Sequence, residues 1–256
     1  MNKNYLQNLD IVSPSKQLSL VAALIFIYLI MFEFVLLPIR YIPKPSLLLD
    51  SFISLLDSYN LAALLFSTTS VIYITLLSGS LLVTLLAKYL LKIIYEYPGM
   101  MNINIPFKYF SIFFFALLFN IWFGESLIAE FLFAILSVLS LLLSVLNKES
   151  KNLSEEHILT AKSLGLNGHE IYEKVIWKEL QPRIFNKLKN IHVSLWMIIL
   201  IYEFISQTEG VGSLYFSAYS YNDIGAIIAL GIFISLLILI GNLIIKFLFR
   251  KIYFWE

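Results

Sequence analysis

The residue types most often used in catalysis and metal binding are sparse in this chain. The 256 residues include three histidines and no cysteine, which excludes disulfides, thiolate metal sites and cysteine nucleophiles. His157, His169 and His192 lie too far apart for a local zinc motif, and no HExxH pattern accompanies them. No Gly-x-x-x-x-Gly-Lys-Ser/Thr phosphate loop occurs either. We therefore expect no catalytic residue, no metal and no cofactor in this chain.

Ionisable side chains inside apolar stretches are the remaining candidates for chemistry. Glu203 lies within such a stretch, where a charged group in a bilayer costs about 2.5 to 3.5 kcal/mol unless it finds a partner or water. A functional role is the favoured interpretation, either lining a pathway or pairing helices, and a carboxylate that reaches headgroup water is the alternative. Glu33, Glu125 and Glu130 lie nearer the ends of apolar stretches. For these three we favour the interfacial interpretation.

The composition is that of a polytopic membrane protein. Hydrophobic residues make up 59% of the chain and charged residues 14%, with a mean hydropathy of +0.83. A soluble core in a chain of this length cannot hold that much apolar surface, so lipid must cover much of it. The formal net charge of +1 argues against a nucleic-acid partner, which needs a concentrated basic face.

The positions of the apolar runs predict an all-α membrane protein with about six transmembrane helices. A span takes about 20 helical residues, and residues 109–146 as one helix would measure about 60 Å, so we place a break at residues 122–126. Residues 1–17 form a polar N-terminal tail with no removable signal peptide, and a transmembrane domain follows over residues 18–256. The predicted spans lie at about 18–38, 61–87, 109–124, 126–146, 190–206 and 224–245.

The distribution of basic residues predicts the orientation of the chain. Residues 147–189 are rich in Lys and Arg, whereas residues 207–222 contain neither. Because cytoplasmic loops are enriched in basic residues, the first segment is predicted to be cytoplasmic and the second to lie outside. Six spans then place both termini in the cytoplasm. The basic residues of the first segment are Lys148, Lys151, Lys162, Lys174, Lys178, Arg183, Lys187 and Lys189.

The segment between the fourth and fifth spans is patterned as two short helices. Ser154 is a good N-cap residue for the first, and Ile158, Ala161 and Leu164 form an apolar stripe at helical spacing. Gly165 is placed to end this helix. A polar, structured protrusion of this kind suits docking to a soluble partner.

A second helix is predicted to begin directly after Gly165. Asn167 can cap it while Glu170, three residues later, reaches back to form a capping box. Pro182 is expected to stop this helix or to bend it toward the fifth span. The predicted buried face consists of Ile171, Val175, Ile176 and Leu180.

Residues 159–167 and 175–182 resemble the "EAA" coupling loop of bacterial ABC importer permeases. In that family the loop occupies a groove on the ATP-hydrolysing subunit and transmits its closure to the spans. The resemblance implies a coupling loop over residues 153–182 of this chain. The residues assigned to ATPase coupling are Thr160, Ala161, Ser163, Leu164, Gly165, Leu166, Asn167 and Gly168.

The resemblance extends over most of the chain. Residues 41–46 and 121–124 look like the Pro-Ser-Pro and Leu-Trp-Phe-Gly elements of the sulfonate, taurine, nitrate, bicarbonate and thiamine-precursor branch. Residues 202–204 and 209–214 look like its Ala-Glu-Phe and Gly-Leu-Gly elements, and Trp255 also fits. Gly210 and Gly212 either shape an outer gate or form only a turn. The candidates for a pathway or gate are Trp196, Tyr202, Glu203, Gly210 and Gly212.

The resemblance implies a transport subunit in the bacterial inner membrane. Its expected partners are membrane lipid, a second permease copy or paralogue, a cytoplasmic ABC ATPase dimer that binds ATP and Mg²⁺, and an extracytoplasmic substrate-binding protein. The chain itself would not be an enzyme. A membrane-embedded enzyme is the alternative from another class. A third is a non-transporting assembly partner, because the coupling loop has Leu159, Thr160 and Lys178 where the family has an acidic residue, alanine and often proline.

Overall fold

The computed structural model of the chain describes residues 14–35, 43–97, 111–153 and 155–253. Within these ranges all regular secondary structure is helical, as the fold-class prediction requires. Several sequence predictions fall on residues outside the described ranges. These are most of the N-terminal tail, the end of the first predicted span, the start of the Pro-Ser-Pro element, the start of the third predicted span, the Ser154 cap and the assignment of Trp255.

We number the helices of the described residues α1 to α10 in chain order. Two of them contain π-helical turns: α1 ends in one, and α7 consists of three successive stretches. The bounds are α1 Pro14–Ile30 with the π-helical Met31–Val35, α2 Pro45–Ser58, α3 Leu61–Glu96, α4 Ile112–Phe123, α5 Leu127–Ser150, α6 Glu155–Ser163, α7 Gly168–Glu170 with the π-helical Ile171–Ile176 and Trp177–Asn186, α8 Leu188–Ser206, α9 Val211–Ser220 and α10 Ile224–Ile252.

Four of these helices, α3, α5, α8 and α10, are long and apolar enough to cross a membrane. Two further apolar helices are shorter, over Ser19–Val35 and Ile112–Phe123. With 12 residues, α4 measures about 18 Å and does not reach across the hydrocarbon core by itself. By length and composition, the described residues therefore contain four candidate spans, against the six expected from the sequence.

Three long helices continue past the predicted ends of their spans. α3 runs to Glu96 rather than ending near residue 87, α5 runs to Ser150 rather than to residue 146, and α10 runs to Ile252 rather than to residue 245. Charged side chains end an apolar run without ending a helix, because Lys and Glu are good helix formers. In α3 the added turns include Lys92 and Glu96, whose charged groups lie 3.9 Å apart at an i,i+4 spacing. The sequence thus located the apolar part of each helix correctly, and each helix is longer than its apolar part.

The chain turns between α4 and α5 at the break placed by the sequence analysis. Gly124 has a φ of +69°, in the left-handed region that glycine adopts without strain. The Ser126 hydroxyl then accepts a hydrogen bond from the Ala129 N–H, 3.1 Å away, and caps α5. This turn separates the two apolar helices.

Two helices, α2 and α9, were not anticipated. α2 begins with Pro45 at its first position, which suits proline because that N–H has no helical partner. It packs on α10, where the rings of Phe52 and Phe233 lie 5.0 Å apart. α9 fills the segment between α8 and α10 and packs on both.

The long helices run between the same two ends of the molecule. At one end, the last turns of α3 and α5 meet where the Tyr95 hydroxyl donates to the Ser150 carbonyl at 3.1 Å, and the rings of Phe185 and Tyr253 lie 5.7 Å apart. At the other end, Thr68 near the start of α3 contacts Glu203 near the end of α8. Helices α3 and α5 therefore run from the second end to the first, and α8 runs back.

Candidate functional site

The turn between α6 and α7 is closed by backbone hydrogen bonds around Gly165. Gly165 has a φ of +81°, and its N–H donates to the Lys162 carbonyl at 3.0 Å. The Leu166 N–H reaches the Ala161 carbonyl at 3.2 Å. This pair of bonds is a Schellman motif, which satisfies the last carbonyls of a helix and reverses the chain. The predicted role of Gly165 in ending the first helix is confirmed.

The start of α7 has the capping box predicted from its sequence. The Asn167 side-chain oxygen accepts from the Glu170 N–H at 2.9 Å, and the Glu170 carboxylate accepts from the Asn167 N–H at 3.2 Å. The Lys174 ammonium lies 2.8 Å from the same carboxylate. The pKa of Glu170 is lowered, first by the hydrogen bond from Lys174 and then by the one from the Asn167 backbone.

Pro182 does not stop the second helix, contrary to one of the two expectations. The helix continues through it to Asn186. Proline removes one backbone hydrogen bond, yet its own side chain is buried, as are those of Leu180 and Ile184 beside it. Packing of this face outweighs the missing bond. The predicted buried face is otherwise present: Ile171, Ile176 and Leu180 are buried, and Val175 is half-buried.

Side-chain contacts hold α6, α7 and α3 together. The Glu179 carboxylate lies 2.8 Å from His157 Nδ1 of α6 and accepts from Arg183 at 2.7 Å. Toward the span, the Lys88 ammonium of α3 lies 3.9 Å from the carboxylate of Glu173 in α7. We call residues 155–186 the helix–turn–helix segment. It is thereby fixed to the extended end of α3.

The outer surface of the helix–turn–helix segment carries apolar side chains. Leu159 is 63% exposed and Leu164 is 75% exposed, whereas Ala161, which the sequence placed on the same apolar stripe as Leu164, is buried. The hydroxyls of Thr160 and Ser163 donate to carbonyls of their own helix, each at 2.8 Å. Leu159 lies in α6 and Leu164 at the turn that follows it, and both side chains are accessible.

The remaining predicted coupling residues lie at the same turn. Leu166 is half-buried, and Gly168 is exposed at the first position of α7. A Cβ atom added at Gly168 would meet nothing within 4 Å. The structure thus gathers all eight predicted coupling residues around one reversal of the chain.

A second polar site lies at the opposite end of the molecule, where α3, α8 and α9 meet. The Thr68 hydroxyl donates to Glu203 Oε1 at 2.6 Å and accepts from the Val211 N–H at 3.0 Å. Glu203 Oε2 accepts from the Gly212 N–H at 2.7 Å. The first two N–H groups of α9 are therefore capped by side chains of other helices. We call Thr68, Glu203, Gly210, Val211 and Gly212 the capping cluster.

The two glycines of this cluster give the Glu203 side chain its room. A Cβ atom at Gly210 would overlap the Glu203 carboxylate, and one at Gly212 would lie 2.6 Å from the Leu200 carbonyl oxygen and 2.8 Å from the Phe204 nitrogen. Glu203 itself is 0% exposed. Its burial excludes the interfacial interpretation and favours the pairing of helices. Gly210 and Gly212 are thus more than a turn, because they admit this carboxylate.

The aromatic gate candidates lie inside the helical packing. Tyr202 stacks on Phe133 of α5, with 4.8 Å between ring centroids. Trp196 is buried and donates from its indole nitrogen to His192 Nε2 at 3.0 Å. His192 Nδ1 lies 3.1 Å from Asn242 Oδ1 of α10, so Nε2 is the acceptor and the ring proton is on Nδ1. These side chains join α8 to α5 and α10.

Of the three carboxylates expected to lie at the membrane interface, Glu130 differs most from that expectation. Glu125 is exposed, as an interfacial group would be, and Glu33 accepts from the Ser46 N–H at 3.1 Å. Glu130 is 0% exposed, so its interfacial interpretation is wrong. Glu130 lies instead on the side of α5 that packs against α8, near Tyr202 and Glu203.

Sequence reasoning missed Thr68 altogether, because threonine in an apolar run is common and its partners are distant in the sequence. In the part of the chain that the structure describes, no three His, Asp or Glu side chains are grouped to ligate a metal. The expected absence of a metal stays a prediction.

Comparison with known proteins identifies the family. The sequence profile of the family described as "Binding-protein-dependent transport system inner membrane component" matches residues 97–253, which is more than half of the chain. A search of curated proteins gives no match. The matched range includes the helix–turn–helix segment and all of the capping cluster except Thr68. The chain belongs to this family of inner-membrane components and is an ABC transporter permease component with multiple membrane helices.

Proposed function

We propose that this permease crosses the membrane six times, with both termini and the helix–turn–helix segment in the cytoplasm, and couples import to a separate ATPase. Two copies, or one copy and a paralogue, would form the translocation pathway. An extracytoplasmic binding protein would deliver the cargo. The chain supplies no bond-breaking chemistry, and its helices move as the ATPase subunits close.

The alternation of helix directions supports the six-span topology. The last turns of α3 and α5 lie at the end that holds the helix–turn–helix segment, whereas α8 begins there. α10 returns to the same end, where Tyr253 meets Phe185. α1 ends beside α2 at the opposite end, since Glu33 accepts from Ser46. The eight basic residues of segment 147–189 then favour a cytoplasmic location for the first end.

The observation that carries the proposal is the pair of exposed leucines at a hydrogen-bonded turn. Leu159 and Leu164 are apolar, solvent-accessible and held by the Schellman motif and the capping box. Apolar side chains on a polar protrusion outside the lipid indicate a surface that a partner protein covers. A groove on the ATPase is the partner that the family implies.

Helix α3 supports a mechanical connection from this surface to the other end of the molecule. Its Lys88 contacts Glu173 of the helix–turn–helix segment, and its Thr68 contacts Glu203 of the capping cluster. The 20 residues between Lys88 and Thr68 rise about 30 Å, which is about the thickness of the hydrocarbon core. One continuous helix therefore joins both sides.

The cargo that we propose is a small organic anion, a vitamin or a vitamin precursor. This proposal rests on the resemblance of residues 121–124, 202–204 and 209–214 to the sulfonate, nitrate and thiamine-precursor branch. It is the part that a co-purified binding protein and its bound ligand would test most directly.

The docking surface is tested by co-purification of the permease with its candidate ATPase. Leu164→Asp places a charge on the exposed surface without disturbing buried packing, and we expect it to weaken the complex about tenfold or more. Asn186→Asp, an exposed position at the end of α7, is the matched control and should leave the complex intact. Binding is measured by titrating the ATPase onto permease in lipid nanodiscs.

An unchanged ATPase affinity for Leu164→Asp would contradict docking at this turn. Loss of transport with ATPase still bound would instead place the effect after docking. Labelling of a cysteine introduced at Lys162 by membrane-impermeant reagents gives the orientation. Reaction from outside intact cells would refute the cytoplasmic assignment.

A further inference from the structure

A second acidic side chain, Glu130 of α5, lies beside the capping cluster and contributes nothing to the cap. It is 0% exposed, and both of its carboxylate oxygens are buried without a hydrogen-bond partner among the described residues. Its polar neighbours are the Glu203 carboxyl group, the Thr208 hydroxyl and the Tyr202 hydroxyl. Two buried carboxyl groups thus lie beside each other.

The two carboxyl groups differ in how their charge is compensated. Glu203 accepts from the Thr68 hydroxyl at 2.6 Å and from the Gly212 N–H at 2.7 Å, and it faces the positive N-terminal end of α9. Glu130 has none of these donors. Within residues 14–35, 43–97, 111–153 and 155–253, neither group belongs to an ion pair. The hydrogen-bond donors that compensate the Glu203 oxygens therefore have no counterpart at the Glu130 oxygens among the described residues.

The Tyr202 hydroxyl is an independent sign of something held at this point. It is buried, has no hydrogen-bond partner in the described part of the chain, and lies near the Glu130 carboxyl group. Stacking on Phe133 fixes the ring. Burying a hydroxyl without a partner costs about 1 to 3 kcal/mol, and burying an unpaired carboxylate costs several times more. One bound species beside them would satisfy both the Tyr202 hydroxyl and the Glu130 carboxylate.

We propose that Glu130 holds a monovalent cation, a proton or a sodium ion, in the space that it shares with Glu203, Tyr202 and Thr208. A proton on a Glu130 oxygen turns that oxygen into a donor toward Glu203 or Thr208. A sodium ion would take carboxylate and hydroxyl oxygens, the ligands that hard cations prefer. In both cases one positive charge accompanies two carboxyl groups.

The occupant would stabilise the packing of α5 against α8 at the start of α9. Glu130 comes from α5, Glu203 and Tyr202 from α8, and Thr208 from the loop that leads to α9. Anything that binds only the folded chain raises its stability in proportion to occupancy. This site requires neither ATPase docking nor the proposed topology, so its test is independent of both.

The test compares the wild type with Glu130→Gln and with the matched control Glu125→Gln, an exposed carboxylate five positions before Glu130. The whole chain, purified in nanodiscs with its bound subunits, is unfolded thermally between pH 5 and 9 in sodium chloride or choline chloride. For a proton, the wild-type midpoint falls as pH rises in both salts. For sodium, the midpoint is higher in sodium chloride than in choline chloride. Glu130→Gln loses the dependence in either case, and Glu125→Gln keeps it.

The proposal is overturned if the wild-type midpoint depends on neither pH nor sodium, or if Glu125→Gln removes the dependence as fully as Glu130→Gln. Infrared spectroscopy of the wild type covers the case in which Glu130→Gln does not fold. A buried protonated carboxyl gives a carbonyl band that shifts in D₂O, and bound sodium changes the carboxylate bands relative to choline. A spectrum with neither feature would also overturn it.

Discussion

The helix–turn–helix segment and the capping cluster are both polar sites on an apolar chain, and they are held in different ways. In the first, the capping bonds and the Glu170–Lys174 pair join residues three or four positions apart, and most of the side chains are exposed. In the second, Thr68 contacts Glu203 and Val211 across 135 and 143 positions, and all three are buried.

This difference determines how much each site is destabilised by amino-acid substitution. Exposed ion pairs stabilise a helix only weakly and are screened by salt. A buried hydrogen bond to a charged group contributes about 1.5 to 3 kcal/mol, and removing one partner leaves the other unsatisfied. The helix–turn–helix segment can therefore adapt its surface to a partner, whereas the capping cluster tolerates very little substitution.

The largest effect is expected for Glu203→Ala. It removes both carboxylate acceptors and leaves the Thr68 hydroxyl and the Gly212 N–H without the acceptors they have in the wild type, so we expect a loss of about 3 kcal/mol of stability. Thermal unfolding in nanodiscs measures it. The exposed Glu209→Ala in the same loop is the control and should change stability by less than about 0.5 kcal/mol. Equal losses of stability for the two substitutions would show that the buried cap contributes no more to stability than an exposed carboxylate does.

Gly212→Ala is expected to have the next largest effect. Its Cβ would press on backbone atoms of Leu200 and Phe204, which cannot move aside as a side chain would, and overpacking costs about 1 to 3 kcal/mol. Gly168→Ala in the helix–turn–helix segment is the control, since its Cβ meets nothing. The unfolding midpoint should fall only for Gly212→Ala. A fall of the same size for both would remove the distinction between the two sites.

Asn167→Ala tests the local cap of α7 and should cost about 1 kcal/mol. The loss should be seen as faster hydrogen exchange in residues 166–174, with little change at the capping cluster. Asn167→Asp keeps a side-chain acceptor and should restore protection. If Asn167→Ala left exchange unchanged, the turn would owe its geometry to Gly165 and packing alone.

The smallest effect concerns the ionisation of Glu170. Its pKa lies below the ordinary value of 4.5, so its contribution is fully present above that value and is lost as the pH falls through the lowered pKa. Hydrogen-exchange protection of the first turn of α7 should therefore stay constant from neutral pH down to the ordinary value and weaken below it. Glu170→Gln should show no such change. High salt should reduce the effect in the wild type, because both partners are exposed.

The same difference decides what the sequence could reveal. The cap, the Gly165 turn and the buried face of α7 follow rules that span only a few residues, and the structure has all three. Thr68 and Glu130 become important only through helix packing, which brings together residues that no local rule connects. The expectation that Pro182 stops the helix was wrong, because its buried neighbours hold the helix against the local rule. The amphipathic α2 carried a readable signal, Pro45 followed by spaced apolar residues, that was overlooked.

Helix α3 is one unbroken rod of 36 residues, about 54 Å long. A rod of that length amplifies rotation: tilting it by about 5° about its start displaces its far end by about 5 Å. A small tilt of α3 about the end near the capping cluster therefore moves its other end, next to the helix–turn–helix segment, by a larger lateral distance. Conversely, a large displacement of α3 at the helix–turn–helix segment produces only a small displacement near the capping cluster.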